Sequence, residues 1–333
     1  MRRTGFGSVV SGAILVSMCL LATVACEKKQ GQTGVINIKF GNTQSEKDTQ
    51  SQALLEVAKI LNDSGKFNVD VQLNSALGST DDLTEQAVQG AAILTVSDPA
   101  RLATHVHQYG ILGMPYILKS YEDVRKLNDI PSHKEWEAEF EKAGLKLVTS
   151  NWFSGTRHFV TNKEVNAPAD LKGLRIRTLD NDIGIGTVNR MGAVGVGMSW
   201  NDVYPALTQK SLDGVEVQTV SSYGSKLYEV LSWTNRTGHF QLIGSVVTSA
   251  DAFNRWPADA QELFIRTFRE VGAKYQAITL ETTDNYEKDM AGRGMTFHDL
   301  TPEAIQVFVD ATASLYDEFG YGDLRKKVLA ELQ

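Results

Sequence analysis

An α/β fold is what this sequence predicts, on three observations. The chain opens with strand and helix patterns in alternation. A second α/β series follows a break at Gly113-Met114-Pro115-Tyr116, and Pro257 to Met290 is one amphipathic stretch far longer than an average helix. At 333 residues there is room for one large domain or two lobes of ordinary size. The apolar fraction of 42% and charged fraction of 22% are those of a globular chain.

The elements follow in order. Ile36, Ile38 and Phe40 alternate with polar neighbours as a strand does, and Leu54, Leu55, Ala58 and Leu61 mark one face of a helix over Asp48 to Leu61. Phe67, Val69, Val71 and Leu73 form a second alternating run. A helix over Asp81 to Gln89 and a short apolar strand over Ala92 to Val96 complete a β-α-β-α-β opening, which implies a largely parallel sheet covered by helices. Tyr121 to Ala143 reads as charged helix and Leu145 to Thr149 as strand. Further helices are expected over Asp182 to Arg190, Asn201 to Thr208 and Ser222 to Val230, with a strand at Val215 to Val217. The 257–290 helix is long enough to span two lobes. Thr301-Pro302 reads as an N-cap and first helical proline, and Ile305, Phe308, Val309, Leu315, Tyr316 and Phe319 line the core face that follows.

The N-terminus reads as a targeting segment. Arg2 and Arg3 precede an apolar run from Val9 to Val24, and Thr23-Val24-Ala25-Cys26 resembles the lipobox of bacterial lipoproteins, apart from Thr23 where leucine is usual. The expectation is a signal peptide over 1–25, a lipidated Cys26, and a polar tether to residue 34. An uncleaved anchor helix, or simple secretion, is the alternative. Cys19 lies within the leader, so Cys26 is the only cysteine expected in the mature chain, with no disulfide and no thiolate chemistry in the fold. The formal charge is −7, from 33 basic and 40 acidic residues. Without the first 26, which hold two arginines and no acid, it is 31 − 40 = −9. No basic surface of the kind nucleic acid requires is expected.

Enzymatic motifs are absent from the sequence. His105 and His107 lack a third metal ligand at motif spacing, and Gly192, Gly195 and Gly197 do not make a dinucleotide fingerprint. No Walker A sequence and no G-x-S-x-G elbow occurs, and no cofactor is implied. What stands out instead is Arg157 and Arg177, each in a mainly apolar strand pattern. A buried guanidinium needs an anion, and its planar fork matches a carboxylate. From the residues alone that anion is either a protein acid or a ligand.

The surroundings of these arginines narrow the choice. Ser154-Gly155-Thr156-Arg157-His158-Phe159, then Asp170-Leu171-Lys172-Gly173-Leu174-Arg175-Ile176-Arg177, Trp200-Asn201-Asp202-Val203-Tyr204-Pro205, Leu212-Asp213-Gly214-Val215-Glu216 and Thr237-Gly238-His239 occur in that order, after Leu77-Gly78 and Met114-Pro115-Tyr116. The series resembles the solute-binding subunits of tripartite ATP-independent periplasmic (TRAP) transporters, the DctP-like family, over roughly residues 35–330. The resemblance implies a two-lobe periplasmic binding protein fold with crossing strands and a long helix spanning both lobes. Lobe I would hold 35–154 and 243–282, and lobe II 155–242 and 283–333. It implies no enzyme but a receptor that takes an organic acid to TRAP membrane subunits. The family's carboxylate-binding arginine falls on Arg177, and its less uniform second arginine falls on Arg157. Alternation alone does not say which of Arg175 and Arg177 faces solvent.

The chain departs from the pattern after Asp213-Gly214-Val215-Glu216, where the family carries an asparagine that contacts the ligand and this chain has Val217 and Gln218. Val217 cannot donate a hydrogen bond, and Gln218 points to the other face of a strand, so one polar contact is expected to be missing. Trp152, Phe153, Trp200, Tyr204 and Tyr223 lie near these segments. Each is either core or an aromatic cleft wall, with Trp200 and Tyr223 carried forward as site residues beside Val217. Two alternatives follow: a receptor for a fatty or aromatic acid, and a lipoprotein interaction module with a periplasmic helical-repeat partner.

Overall fold

The structure is a computed structural model that describes residues 34–333. The leader, Cys26 and all but the end of the tether lie outside the described residues. The parallel opening forms as the alternation predicts: β1 (Ile36–Gly41), α1 (Thr49–Asp63), β2 (Phe67–Gln72), α2 (Thr80–Val88), β3 (Ile93–Ser97) and the short α3 (Pro99–Leu102). Local chemistry sets the helix starts. Asp48 Oδ1 accepts from Gln50 N at 2.9 Å, Ser79 and Asp82 form a reciprocal capping box, and Asp98 Oδ1 accepts from Arg101 N at 3.0 Å. The expected charged helix from Tyr121 is two, α4 (Tyr121–Lys126) and α5 (Pro131–Lys142). Pro131 disfavours helix at the residue before it and suits a first turn.

The largest departure is in the strands. The expected Leu145–Thr149 strand and the first arginine strand are one element, β4 (Leu145–Thr161). It is followed by β5 (Arg175–Thr178), α6 (Asp182–Arg190), β6 (Val194–Gly197), α7 (Val203–Thr208), β7 (Gly214–Gln218), α8 (Thr219–Gly224) and a second 17-residue strand, β8 (Trp233–Ser249). The order across the sheet is β2-β1-β3-β8-β4-β7-β5-β6, and β9 (Thr296–His298) pairs with β8. β4 and β8 run antiparallel with register shifts. The Ser245–Thr248 part of β8 pairs with β3, while Arg157–Thr161 of β4 pairs with β7. Two parallel half-sheets are thus joined through one crossing pair.

The core divides accordingly. Phe40, Leu54, Phe264 and Phe268 belong to a cluster on the β1–β3 half, and Val160, Val215, Val217 and Leu227 to one on the β5–β7 half. After α9 (Ala250–Asn254), the long helix α10 (Ala258–Gly292) reaches both, contributing Phe264 and Val271 to the first and Met290 to the second. The predicted single run after Thr301 is three helices: α11 (Pro302–Thr312), α12 (Leu315–Glu318) and α13 (Gly322–Glu331). The last three helices reach across the expected lobe division. Leu315, Tyr316, Tyr321, Val328 and Leu332 pack with Tyr109, Trp136 and Phe140, and Ser132 N donates to Glu331 at 3.0 Å, so the C-terminal helices dock on the first lobe.

One glycine sets how closely α10 approaches the crossing strands. A Cβ at Gly272 would lie 2.5 Å from Trp152 Nε1 and 2.6 Å from Asn151 Oδ1. Trp152 cannot retreat, because its Nε1 donates to Phe268 O at 3.0 Å and it is buried. Gly272→Ala gains roughly 1 kcal/mol of helix propensity. Overpacking of about 1–3 kcal/mol outweighs that gain, so urea unfolding is expected to show net destabilisation.

Candidate functional site

The strand order places a cavity where the two half-sheets meet. Its volume is about 320 Å³, and its walls come from both halves and from the crossing strands. The β1–β3 half contributes Asp48 and Gln50 at the start of α1, Ser97 and Asp98 at the end of β3, and Arg101. The other half contributes Arg177 near the end of β5, Trp200, and Val217 and Gln218 at the end of β7. The carboxyl ends of parallel strands are where open α/β sheets bind ligands, because the backbone there leaves a crevice.

Arg177 is 2% exposed, and its Nε and Nη2 donate to Met198 O at 3.0 and 2.7 Å. Its guanidinium stands over the Trp200 ring at 5.2 Å. Among the described residues no carboxylate is ion-paired with it, and its Nη1 has no protein partner. Burial, with Arg157 and then Arg101 nearby, pushes its pKa down to about 9 against the pull of Glu216 and Asp98, so the group keeps its charge at neutral pH. A buried cation therefore faces the cavity without an acid. Arg175, on the same strand, is exposed and paired with Asp213 at 2.9 Å. That resolves the choice alternation left open.

Arg157 is also buried, but it has a protein acid. Its Nε and Nη2 donate to Glu216 Oε2 and Oε1 at 2.5 and 2.6 Å, Nη2 also to Glu216 O at 2.7 Å, and Nη1 to Gln218 Oε1 at 2.9 Å. Four of its five N–H groups are used, leaving one for anything in the cavity. The ion-pair alternative thus describes Arg157, and Arg177 lacks one.

Trp200 and Val217 line the cavity, but Tyr223 does not. It stacks on Tyr286 at 3.8 Å, against α10. Trp152 and Phe153 are core and do not line the cavity, and Tyr204 bonds Glu229 at 2.8 Å. The expectation about Gln218 also needs correction. As the last residue of β7 it sits opposite Arg157 on one face, and the cavity closes over the strand end, so both Val217 and Gln218 line it. Its Nε2 donates to Ser221 Oγ at 2.7 Å, and Ser221 Oγ donates to Asp48 Oδ2 at 2.8 Å, linking the two halves. Burial raises the Asp48 pKa against hydrogen bonds from Ser221 and Gln50.

Sequence reading missed Asp48, Gln50, Ser97, Asp98, Arg101 and Ser154. A signal existed for Asp48 and Asp98: each is a helix-capping acid just ahead of a helix in a parallel opening, the position where such sheets hold ligands. His105 and His107 do not form a metal site. His107 Nε2 lies 3.0 Å from Phe319 O, and no cluster of three or more His, Cys, Asp or Glu able to hold a metal occurs among the described residues. No helix among those residues is long and apolar enough to cross a membrane.

Comparison with known proteins agrees with this architecture. The family model described as bacterial extracellular solute-binding protein, family 7 (DctP), matches residues 40–323. The C4-dicarboxylate-binding periplasmic protein DctP of Vibrio cholerae is 26% identical over 315 residues, covering 94% of this chain and 93% of that one. A TRAP periplasmic solute binding protein from Ochrobacterium anthropi with bound L-fuconate superposes with a TM-score of 0.85 at 27% identity, covering 90% of this chain and 100% of that chain. One from Actinobacillus succinogenes with bound L-galactonate gives 0.83 at 26% identity, covering 89% and 99%. These relatives are binding proteins, not enzymes, and share the two-lobe α/β fold.

Proposed function

The chain belongs to the bacterial extracellular solute-binding proteins of family 7, and from that premise we propose that it is a periplasmic receptor that captures an organic acid through Arg177 and passes it to TRAP membrane subunits. The observation that carries the reading is the buried Arg177 guanidinium, which faces the cavity with no protein carboxylate. Leaving such a group unpaired is costly, so an anionic ligand stabilises the ligand-bound, closed arrangement that both lobes contact. Arg157 assists through the Gln218 amide it orients, with one N–H of its own to spare. The relatives that hold L-fuconate and L-galactonate support an acid as ligand. Lobes at 35–154 with 243–282, and at 155–242 with 283–333, belong to the same reading, with the C-terminal helices docked across. So does a lipid anchor at Cys26, which rests on the sequence alone.

A hydrophobic acid gains little support. Most lining residues are polar, Gln50, Ser97, Ser154 and Gln218 among them, beside Trp200, Val217, Leu179, Leu242 and Ile243. Native mass spectrometry of the mature protein purified from its source, followed by calorimetric titration with the acid released, is the direct test. A retained carboxylic acid, bound again by the stripped protein, is the expected result. A protein that retains none and binds none across mono- and dicarboxylates is not this receptor.

A further inference from the structure

We infer that the cavity accepts a single negative charge, that Asp98 and Asp81 set this limit by neutralising Arg101, and that the ligand is a monocarboxylate whose other polar groups are hydroxyls. This rests on the reading of Arg177 as the carboxylate's partner. Three arginines line the cavity, and two are already occupied. Arg157 holds Glu216. Arg101 Nε lies 3.1 Å from Asp98 Oδ2, its Nη1 meets Asp81, and the Arg101 and Asp98 side chains are only 12% and 10% exposed. Among the described residues, a ligand with two carboxylates would find one free cation, Arg177, and would bring its second charge among Asp48, Asp81 and Asp98 with no guanidinium left to meet it. Like charges so placed are disfavoured, which is how a site rejects a near-identical ligand.

The same residues suit hydroxyl groups. Asp48 and Asp98 are acceptors, and Ser97 Oγ, on a residue 4% exposed and lining the cavity, has no hydrogen-bond partner. A buried hydroxyl without a partner is uncommon, and a ligand hydroxyl would satisfy it. An alkyl chain would leave Ser97 Oγ without a partner and the spare lone pairs of Asp48 and Asp98 unused.

The test is calorimetry on the mature protein with six-carbon probes of matched length: gluconate, galactonate and gulonate, the dicarboxylates glucarate, galactarate and adipate, and hexanoate. At least one hexonate is expected to bind, with its dicarboxylate partner roughly a hundredfold weaker and hexanoate weaker still. Asp98→Asn keeps the oxygen that caps α3 but removes the charge. Combined with Asp81→Asn it frees Arg101, and the gap between hexonate and dicarboxylate should narrow by about tenfold or more. Asp81→Asn alone, at a side chain 59% exposed, provides a milder variant if the pair folds poorly. A wild-type protein that binds a dicarboxylate or hexanoate as tightly as any hexonate overturns the inference, as does a gap unmoved by either variant. If that dicarboxylate is lost on changing Arg177, the receptor reading still stands. If no acid binds at all, both fail.

Discussion

Replacing Arg177 by alanine is expected to weaken ligand binding by about 3 kcal/mol, on the order of a hundredfold in Kd, while leaving the fold at least as stable as before. The two halves of that expectation have one cause. In the free protein the guanidinium is buried, bonded only to the Met198 carbonyl and the Trp200 face, and opposed by neighbouring arginines. Its charge is a liability until a carboxylate arrives, so removing it removes the ligand's partner together with an uncompensated cost. Arg177→Lys keeps a charge but loses the fork, and should fall between wild type and alanine. Titration calorimetry gives the affinities, and urea unfolding of the ligand-free proteins gives the stability. A variant that binds normally, or one that unfolds, contradicts the role assigned to Arg177.

The second large effect has the opposite character. Glu216→Gln is expected to destabilise the fold by about 3–5 kcal/mol, because Arg157 would be left buried without its charge partner. Glu216 is fully buried and accepts from Arg157, from Thr178 Oγ1 at 2.7 Å, and faces His239 Nε2 at 3.5 Å. Burial alone would raise its pKa. The charge and hydrogen bonds of Arg157, with His239 close by, outweigh burial and hold the carboxyl well below the usual range. The folded value is depressed, so the stabilisation is fully present above the unfolded value near 4.5 and is lost as pH falls below it. Unfolding titrations from pH 7 down to 3 should show that acid-dependent loss in the wild type and a shallower one in the variant. Equal slopes would mean that Glu216 is not held this way.

These two arginines also show how far the sequence reaches. Both lie in apolar strand patterns, and nothing local distinguishes them. Arg157 meets Glu216 only because β4 pairs antiparallel with β7 in a register that sets Arg157 opposite Gln218 and close to Glu216. Arg177 and Arg175 share a face of one strand, yet Asp213 takes Arg175 at the exposed end and leaves Arg177 in the cavity. Tyr223 leaves the site for a similar reason: α8 turns it towards α10, to a contact with Tyr286 that lies 63 residues away in sequence (286 − 223). The alternation that turns Gln218 away from Val217 holds within a strand but not where a cavity closes over its end.

Period and capping are local, so the sequence by itself determined the α/β class, the parallel opening, the long helix and the helix starts at Asp48 and Thr301. Hydrophobic spacing and side-chain caps act over a few residues and need no distant partner. The merging of two strand patterns into β4, its pairing with β8, the docking of the last helices on the first lobe and the partner of each buried charge were decided only by tertiary structure. The sequence supplies a charge and a strand to carry it. Whether an acid stands within bonding distance depends on strand order and register, and those follow from the packing of the whole sheet.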